Sequence, residues 1–251
     1  MLKDLSHWGF LASPVSADVP GSGAMVSTAH NEAENPPPDS MKILGISCSP
    51  HTGKNTAAAT NICLDAVRAV DGRIEVELVE LGAWNLPGEV AAGIARDAGK
   101  RDIFPGLAEK LAVPSVVGVI LATPIYFGDM AFLCGAFLDW STVFHQGKLL
   151  AGKVGGVLTM GSAKNGEVEL TLRWVQSVLI SQQMTVVGDA AVTGRRGATV
   201  WAGKPPAGTG PAPSIVLDAK GIAAIKNLGR RVAETALRPD TNSPRDVLRL
   251  R

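Results

Sequence analysis

Hydrophobic and polar positions along the chain change their period in a regular order. Residues 42–47 form a short apolar run that ends in a polar loop, and 55–70 is Ala-rich with Ile62, Ala66 and Val67 on one helical side. Ile74–Glu80 alternates apolar and charged residues, the period of a strand with one face toward solvent. The segment 104–111 predicts a short helix. Residues 116–122 are wholly apolar, the mark of a strand buried on both faces. One helix is expected over 130–144, a second apolar strand over 154–160, and a helix through Val168, Leu172, Val175 and Leu179. A short last strand at 184–187 precedes a long Gly/Pro loop, 188–214, and an amphipathic closing helix over 217–237. The Gly-rich stretch 82–101 has no clear period.

Five strands alternating with helices predict a parallel sheet, because parallel neighbours need helical crossovers. The expected fold class is α/β, a doubly wound five-stranded parallel sheet of order 2-1-3-4-5. Ligands of such sheets sit beyond the carboxyl ends of the strands, near the switch point between strands 1 and 3. That rule selects the loops that matter. Outside the periodic region, 21–39 is rich in Gly, Ser, Asn, Glu and Pro and ends in Pro36-Pro37-Pro38. Residues 1–40 are therefore expected to be a flexible extension, 41–238 the folded domain and 239–251 a polar tail.

Composition narrows the function class. With 46 % hydrophobic and 19 % charged residues, the 251-residue chain is globular and can bury a sizeable core. The 24 basic and 23 acidic residues nearly cancel, so no basic field exists for nucleic acid and no polybasic patch for a membrane surface. No run of about 20 apolar residues predicts a membrane span, and the first twenty residues lack the pattern of a signal peptide. Cys48, Cys63 and Cys134 form no CxxC pair, so neither a zinc site nor a thioredoxin motif is readable. A reducing, cytoplasmic location is expected.

Three loops fall at the carboxyl edge. The first, Ser47-Cys48-Ser49-Pro50-His51-Thr52-Gly53-Lys54-Asn55-Thr56, offers hydroxyls, an amide and a cation at a helix N-terminus, whose free N–H groups and dipole favour a phosphate. The same residues also suit an ordinary capped helix start. A Walker A loop would need Gly where Cys48 stands and Ser or Thr where Asn55 stands. A Cys48-dependent phosphatase would need Arg where Lys54 stands, because only Arg makes the bidentate phosphoryl fork. The second loop, Thr123-Pro124-Ile125-Tyr126-Phe127-Gly128-Asp129, can present a flat apolar wall to a planar ring, or simply place core aromatics at a turn. The third, Gly161-Ser162-Ala163-Lys164-Asn165-Gly166, permits close backbone approach. Lys164 there either stabilises negative charge on a ligand or is an exposed turn lysine.

Taken together, these loops resemble the NADPH-dependent FMN reductase family of flavodoxin-like proteins and its iron–sulfur flavoprotein relatives, over roughly 41–237. The family opens with a strand and an S-x-S-P-R-x-G-x-T type loop, matched by Ser47 to Thr56. Its S-P-V-Y-F-G segment followed by A-F-L-D is matched by Thr123 to Gly128 and by Ala136-Phe137-Leu138-Asp139. Its N-G-G-Q-E-T-T-L element is matched by Asn165 to Leu172, and its last helix by the segment around Gly229-Arg230-Arg231. The resemblance implies FMN as cofactor and NADPH or NADH as co-substrate. Ser47, Ser49, His51, Gly53, Lys54, Asn55 and Thr56 would serve the phosphate. Pro124, Ile125, Tyr126, Phe127 and Gly128 would line the isoalloxazine and ribityl chain, and Gly161 with Ser162 would close the other side. It further implies an oxidoreductase passing electrons through FMN to a small-molecule acceptor or redox protein, and assembly as a homodimer or homotetramer, with Trp140, Phe144 and Trp201 as candidate contacts or core residues.

Departures from the pattern are specific. His51 stands where Arg or Lys is common, Cys48 where Gly is common, and 82–104 lacks the cysteines of the iron–sulfur branch, so no iron–sulfur cluster is expected. The alternative function is an electron-transfer or sensory FMN-binding flavoprotein without NAD(P)H turnover. In either case the flavin carries the redox chemistry, so no catalytic side chain and no metal ligand is expected.

Overall fold

The central strands of the sheet carry buried apolar residues on both faces, and helices cover both. The computed structural model describes residues 41–84, 106–162, 168–189, 196–203 and 214–238; the expected extension 1–40, the tail 239–251, most of the 82–101 stretch and Lys164 lie outside the described residues. The elements in chain order are β1 (Met41–Ser47), α1 (Asn55–Arg68), β2 (Ile74–Glu80), a 3-10 turn (Leu81–Ala83), α2 (Leu107–Ala112), β3 (Val116–Tyr126), β4 (Asp129–Met130), α3 (Phe132–Trp140), α4 (Thr142–Gly147), β5 (Val154–Gly161), α5 (Val168–Ser181), β6 (Thr185–Val187), β7 (Ala198–Trp201), a second 3-10 turn (Ser214–Leu217) and α6 (Ala219–Ala236).

The sheet runs β2-β1-β3-β5-β6, all parallel, with β4 paired to β3 and β7 to β5. This is the expected order 2-1-3-4-5 once the two-residue β4 is set aside. The switch point lies between β1 and β3, as expected. Period 2 places Ile43 of β1 and Ile120 of β3 in one core and Leu44, Ile46, Val119 and Leu121 in the other. The first core is closed by α1 (Ala59, Cys63, Leu64, Val67) and α6 (Ile225, Leu228, Val232); the second by Leu107, Leu111, Phe137, Phe144, Leu172, Val175 and Leu179 of α2 to α5.

Four expectations need correction. Among the described residues the sheet has seven strands, not five. The 188–214 segment is not all loop, because Ala198–Trp201 forms β7, parallel to the carboxyl half of β5. There Ala198 and Val200 are buried in the α1/α6 core, and that burial outweighs the Gly/Pro-rich surroundings. The helix expected over 130–144 is two helices broken at Ser141, whose hydroxyl donates to the Leu138 carbonyl (2.6 Å) and whose own carbonyl accepts from Gln182 Nε2 (3.0 Å). Finally, 123–126 is strand rather than loop: β3 continues through Pro124, which stands opposite Met160.

Candidate functional site

The first loop leaves β1 at Ser47 and enters α1 at Asn55. It is tied to the neighbouring strand by the Cys48 N–H, which donates to the Ala122 carbonyl (2.8 Å). Lys54 is the N-cap in an extended conformation, and no side chain caps the helix. The capping explanation for the loop's hydroxyls therefore fails: the N–H groups of the first turn find no side-chain acceptor at the cap. Beside them, the fully buried Ser47 Oγ and Thr56 Oγ1 have no hydrogen-bond partner, and neither does Asn55 Oδ1. A buried polar atom without a partner costs about 1–3 kcal/mol, and three such atoms, two hydroxyl oxygens and one amide oxygen, gather at this one strand–helix junction. Asn55 Nδ2 donates to Ser214 Oγ (3.2 Å). Rotating that amide by half a turn lets the Ser214 hydroxyl donate to Oδ1 and turns Nδ2 into a further donor for an anion.

The remainder of the loop is held from outside. Gly53 has φ 65°, and its N–H donates to Glu80 Oε2 (2.7 Å). The His51 N–H donates to Ser49 Oγ (3.1 Å). A side chain at Gly82 would put its first carbon 2.5 Å from the Ser49 carbonyl oxygen, so β2 and its 3-10 turn press directly on the loop. The side chains of His51 and Lys54 are exposed. Cys48 is fully buried, and burial together with the adjacent Cys134 thiol pushes its pKa well above the ordinary value. That is the reverse of an activated thiolate, which removes the phosphatase alternative.

The second loop is a β-hairpin. Tyr126 pairs with Asp129 and Ile125 with Met130 across a two-residue turn, Phe127 (φ 52°) and Gly128 (φ 84°). Positive φ at both positions is the type I′ arrangement. It is costly for a residue with Cβ, by roughly 1 kcal/mol. The strained Phe127 ring is fully exposed, and Tyr126 is half-exposed. Below the turn, the Ala131 N–H is shared between the Pro124 carbonyl and Thr123 Oγ1 (both 3.1 Å), and Thr171 Oγ1 of α5 donates to the Gly128 carbonyl (3.3 Å). The hairpin is thus a projecting apolar element on a hydrogen-bonded base, not a turn that buries its aromatics.

At the end of β5, Gly161 is buried and Ser162 exposed. The Gly161 carbonyl accepts from the Ala202 N–H (2.9 Å), and the Ser162 carbonyl accepts from Trp201 Nε1 (2.6 Å). Trp201 is in turn held by Asp218, the N-cap of α6, whose carboxylate accepts from the Trp201 N–H (2.8 Å) and the Gly221 N–H (3.0 Å). Trp140 and Phe144 are core residues in edge-to-face contact, 4.9 Å between centroids.

All fourteen site residues expected from the sequence thus lie at one edge, at or just beyond the carboxyl ends of β1, β3 and β5. Three supporting residues, Glu80, Gly82 and Ser214, were not expected from the sequence, whereas Thr123 stood in the expected second loop without an assigned role. Thr159 of β5, buried with an unpartnered hydroxyl, was also missed. No local motif signals these residues, since each meets the site through tertiary contact. Among the described residues, no group of three or more His, Cys, Asp and Glu is placed to hold a metal ion.

Comparison with known proteins agrees with this geometry. The family model of NADPH-dependent FMN reductase matches residues 41–199, more than half of the chain. The chain is 32 % identical to an iron–sulfur flavoprotein of Methanocaldococcus jannaschii, over 77 % of this chain and 96 % of that protein. It is 34 % identical to an NAD(P)H dehydrogenase (quinone) of Chromohalobacter salexigens, over 51 % of this chain and 62 % of that one. Among solved structures, an NADH:FMN oxidoreductase in its apo form superposes with a TM-score of 0.55 at 20 % identity, covering 82 % of this chain and 94 % of that one. An oxidoreductase of Corynebacterium diphtheriae does so with a TM-score of 0.56 at 17 % identity, covering 79 % and 98 %. At such identities the superpositions establish the fold, while the sequence match carries the lineage: the chain belongs to the NADPH-dependent FMN reductase family, whose cofactor is FMN and whose members are NAD(P)H-dependent oxidoreductases.

Proposed function

We propose that the chain passes electrons from NADPH or NADH through FMN to a second acceptor, a small molecule such as a quinone or a redox protein. The observation that carries the reading is the set of buried, unpartnered oxygens at the β1–α1 junction, Ser47 Oγ and Thr56 Oγ1 above all. They fit a phosphate monoester: hydroxyl donors beside open first-turn N–H groups at the positive end of a helix. Bound there, FMN supplies the two-electron chemistry. The chain's part is to hold the phosphate with Ser47, Asn55 and Thr56, to orient the ring with the backbone of Pro124 to Gly128, and to limit its movement with Gly161 and Ser162. Ser49, His51, Gly53 and Lys54 shape the outer turn of the cradle. The naming of quinone-reducing relatives supports a quinone as the first acceptor to test.

No iron–sulfur cluster is proposed, although a relative carries that name. Such clusters take four thiolates, the chain has three cysteines, and Cys63 lies in the other core from Cys48 and Cys134. The three free thiols suit a reducing cytoplasm. No helix among the described residues is long and apolar enough to cross a membrane. A homodimer or homotetramer is proposed from the exposed apolar residues Phe127, Phe132, Leu170 and Trp174, since exposed apolar surface suits a second copy.

The test is an anaerobic titration of the FMN-reconstituted full chain with NADPH and NADH, followed by a quinone. Loss of flavin absorbance on adding nucleotide, restored by quinone, is expected. Bound flavin that nucleotide leaves oxidised would favour an electron-transfer or sensory flavoprotein, and absence of flavin binding would overturn the reading.

A further inference from the structure

We infer that Glu80 is a positioning residue for the FMN phosphate. Its carboxylate fixes the turn of the β1–α1 loop from behind by accepting the Gly53 N–H, so the cradle stands formed before the cofactor arrives. The inference rests on the FMN reading above and adds a residue outside the loop itself.

Three observations converge on it. The loop has no capping side chain at Lys54, and residues 50–54 are exposed, so little within the loop holds it to the body of the domain. Two holds come instead from β2 and the 3-10 turn after it: the 2.7 Å bond from the Gly53 N–H to Glu80 Oε2, and the close approach of Gly82 to the Ser49 and Pro50 carbonyls. Register explains why Glu80 can reach. It is the last residue of β2 and pairs with Ser47, the last residue of β1, so its side chain leaves the sheet beside the departing loop. Gly53, at φ 65°, is where the loop reverses toward the helix, and a charge-assisted bond at that residue restrains the turn more than a neutral one would. A carboxylate beside a phosphate site would be unfavourable if charge were its contribution. Its value is geometric: a loop already in its bound conformation loses less entropy on binding.

The experiment compares FMN with riboflavin, which lacks the phosphate, on the full chain and on Glu80→Ala and Glu80→Gln, by quenching of flavin fluorescence. Glu80→Ala is expected to weaken FMN about tenfold, the low end for one charge-assisted hydrogen bond, since the bond is exposed, and to leave riboflavin unchanged. Glu80→Gln keeps an acceptor for the Gly53 N–H and is expected to restore FMN binding. Equal weakening of both flavins would make Glu80 merely structural and overturn the inference. So would an unchanged FMN affinity in Glu80→Ala, or a Gln variant as weak as Ala. If Glu80→Ala does not fold, Glu80→Asp, which withdraws the carboxylate by one methylene, is scored the same way. A wild-type chain that binds FMN no better than riboflavin would instead overturn the phosphate reading itself, a failure distinct from the Glu80 result.

Discussion

The two ends of the same parallel strands are built on opposite terms. Around the starts of β1, β2 and β5, charges meet partners. Lys42 lies between Glu75 (3.5 Å) and Glu77 (3.6 Å), Lys110 bonds to Glu77, and Lys153 donates to the carbonyls of Val113 (3.0 Å) and Val116 (2.5 Å). Glu77 is held below the ordinary carboxylate range, chiefly by the hydrogen bond from Lys110. At the carboxyl ends, buried hydroxyls lack partners, an aromatic residue adopts a left-handed conformation, and its ring stands in solvent. The amino edge pairs its charges, although Gln182 Oε1 beside the start of β6 lacks a partner and Lys148 and Gln183 also have positive φ. The carboxyl edge keeps local costs of the kind that functional sites commonly carry. Single unpartnered atoms occur elsewhere too, at Gln182, Arg231 and Thr235; what distinguishes the carboxyl edge is that three of them gather at the β1–α1 junction.

Removing the deficit should therefore separate binding from stability. Thr56→Val takes away a hydroxyl that has no partner in the free protein. FMN affinity should fall about tenfold to a hundredfold, the range for a hydrogen bond to a charged group, with riboflavin unaffected in the same fluorescence titration. Unfolding in urea should show the variant as stable as the parent or more so. A variant that loses stability in parallel would mean the hydroxyl is bonded in the free protein, and the contrast between the two edges would be broken. A smaller effect is expected at the hairpin. Phe127→Gly relieves the positive φ and should raise the unfolding free energy by about 0.5–1 kcal/mol, while flavin affinity falls. Unchanged flavin affinity would show that the exposed ring serves another surface.

The smallest effect tests the amino edge. Burial lowers the Lys153 pKa from 10.5 to about 8. Below pH 8 the folded and unfolded states both carry the proton, and the burial cost is fully present. Between pH 8 and about 10.5 the unfolded state binds more protons, so stability attributable to Lys153 rises with pH. At this half-buried position solvent screening keeps the swing to about 1 kcal/mol or less. Urea unfolding of the parent and of Lys153→Met at pH 7.5, 9 and 10 should show the parent gaining relative to the variant. A constant difference would mean that the carbonyls of Val113 and Val116 hold the ammonium charged throughout.

Much of this arrangement was legible in the chain. The apolar runs of β1, β3 and β5 announce buried parallel strands, and the Ser47 to Thr56 run announces a polar strand-to-helix loop, because both signals are local. The failures share one cause. Ala198–Trp201 pairs with a strand some forty residues away, so its Gly/Pro surroundings concealed it. Pro124 hid the continuation of β3, since proline usually ends a strand in sequence terms; here its carbonyl still accepts the Ala131 N–H. Ser141 breaks a helix through its bond with Gln182, forty-one positions on.

By itself, the sequence determined the parallel α/β sheet, the edge that carries the candidate loops and the family, since hydrophobic period and loop chemistry are properties of neighbouring residues. Only the tertiary structure decided which of those polar atoms are left without partners, that Cys48 is an inert core thiol, that Phe127 stands in solvent and that Glu80 and Gly82 set the shape of the loop. Those depend on burial and on contacts between segments, down to the 27 positions that separate Gly53 from Glu80, and no period along the chain encodes them.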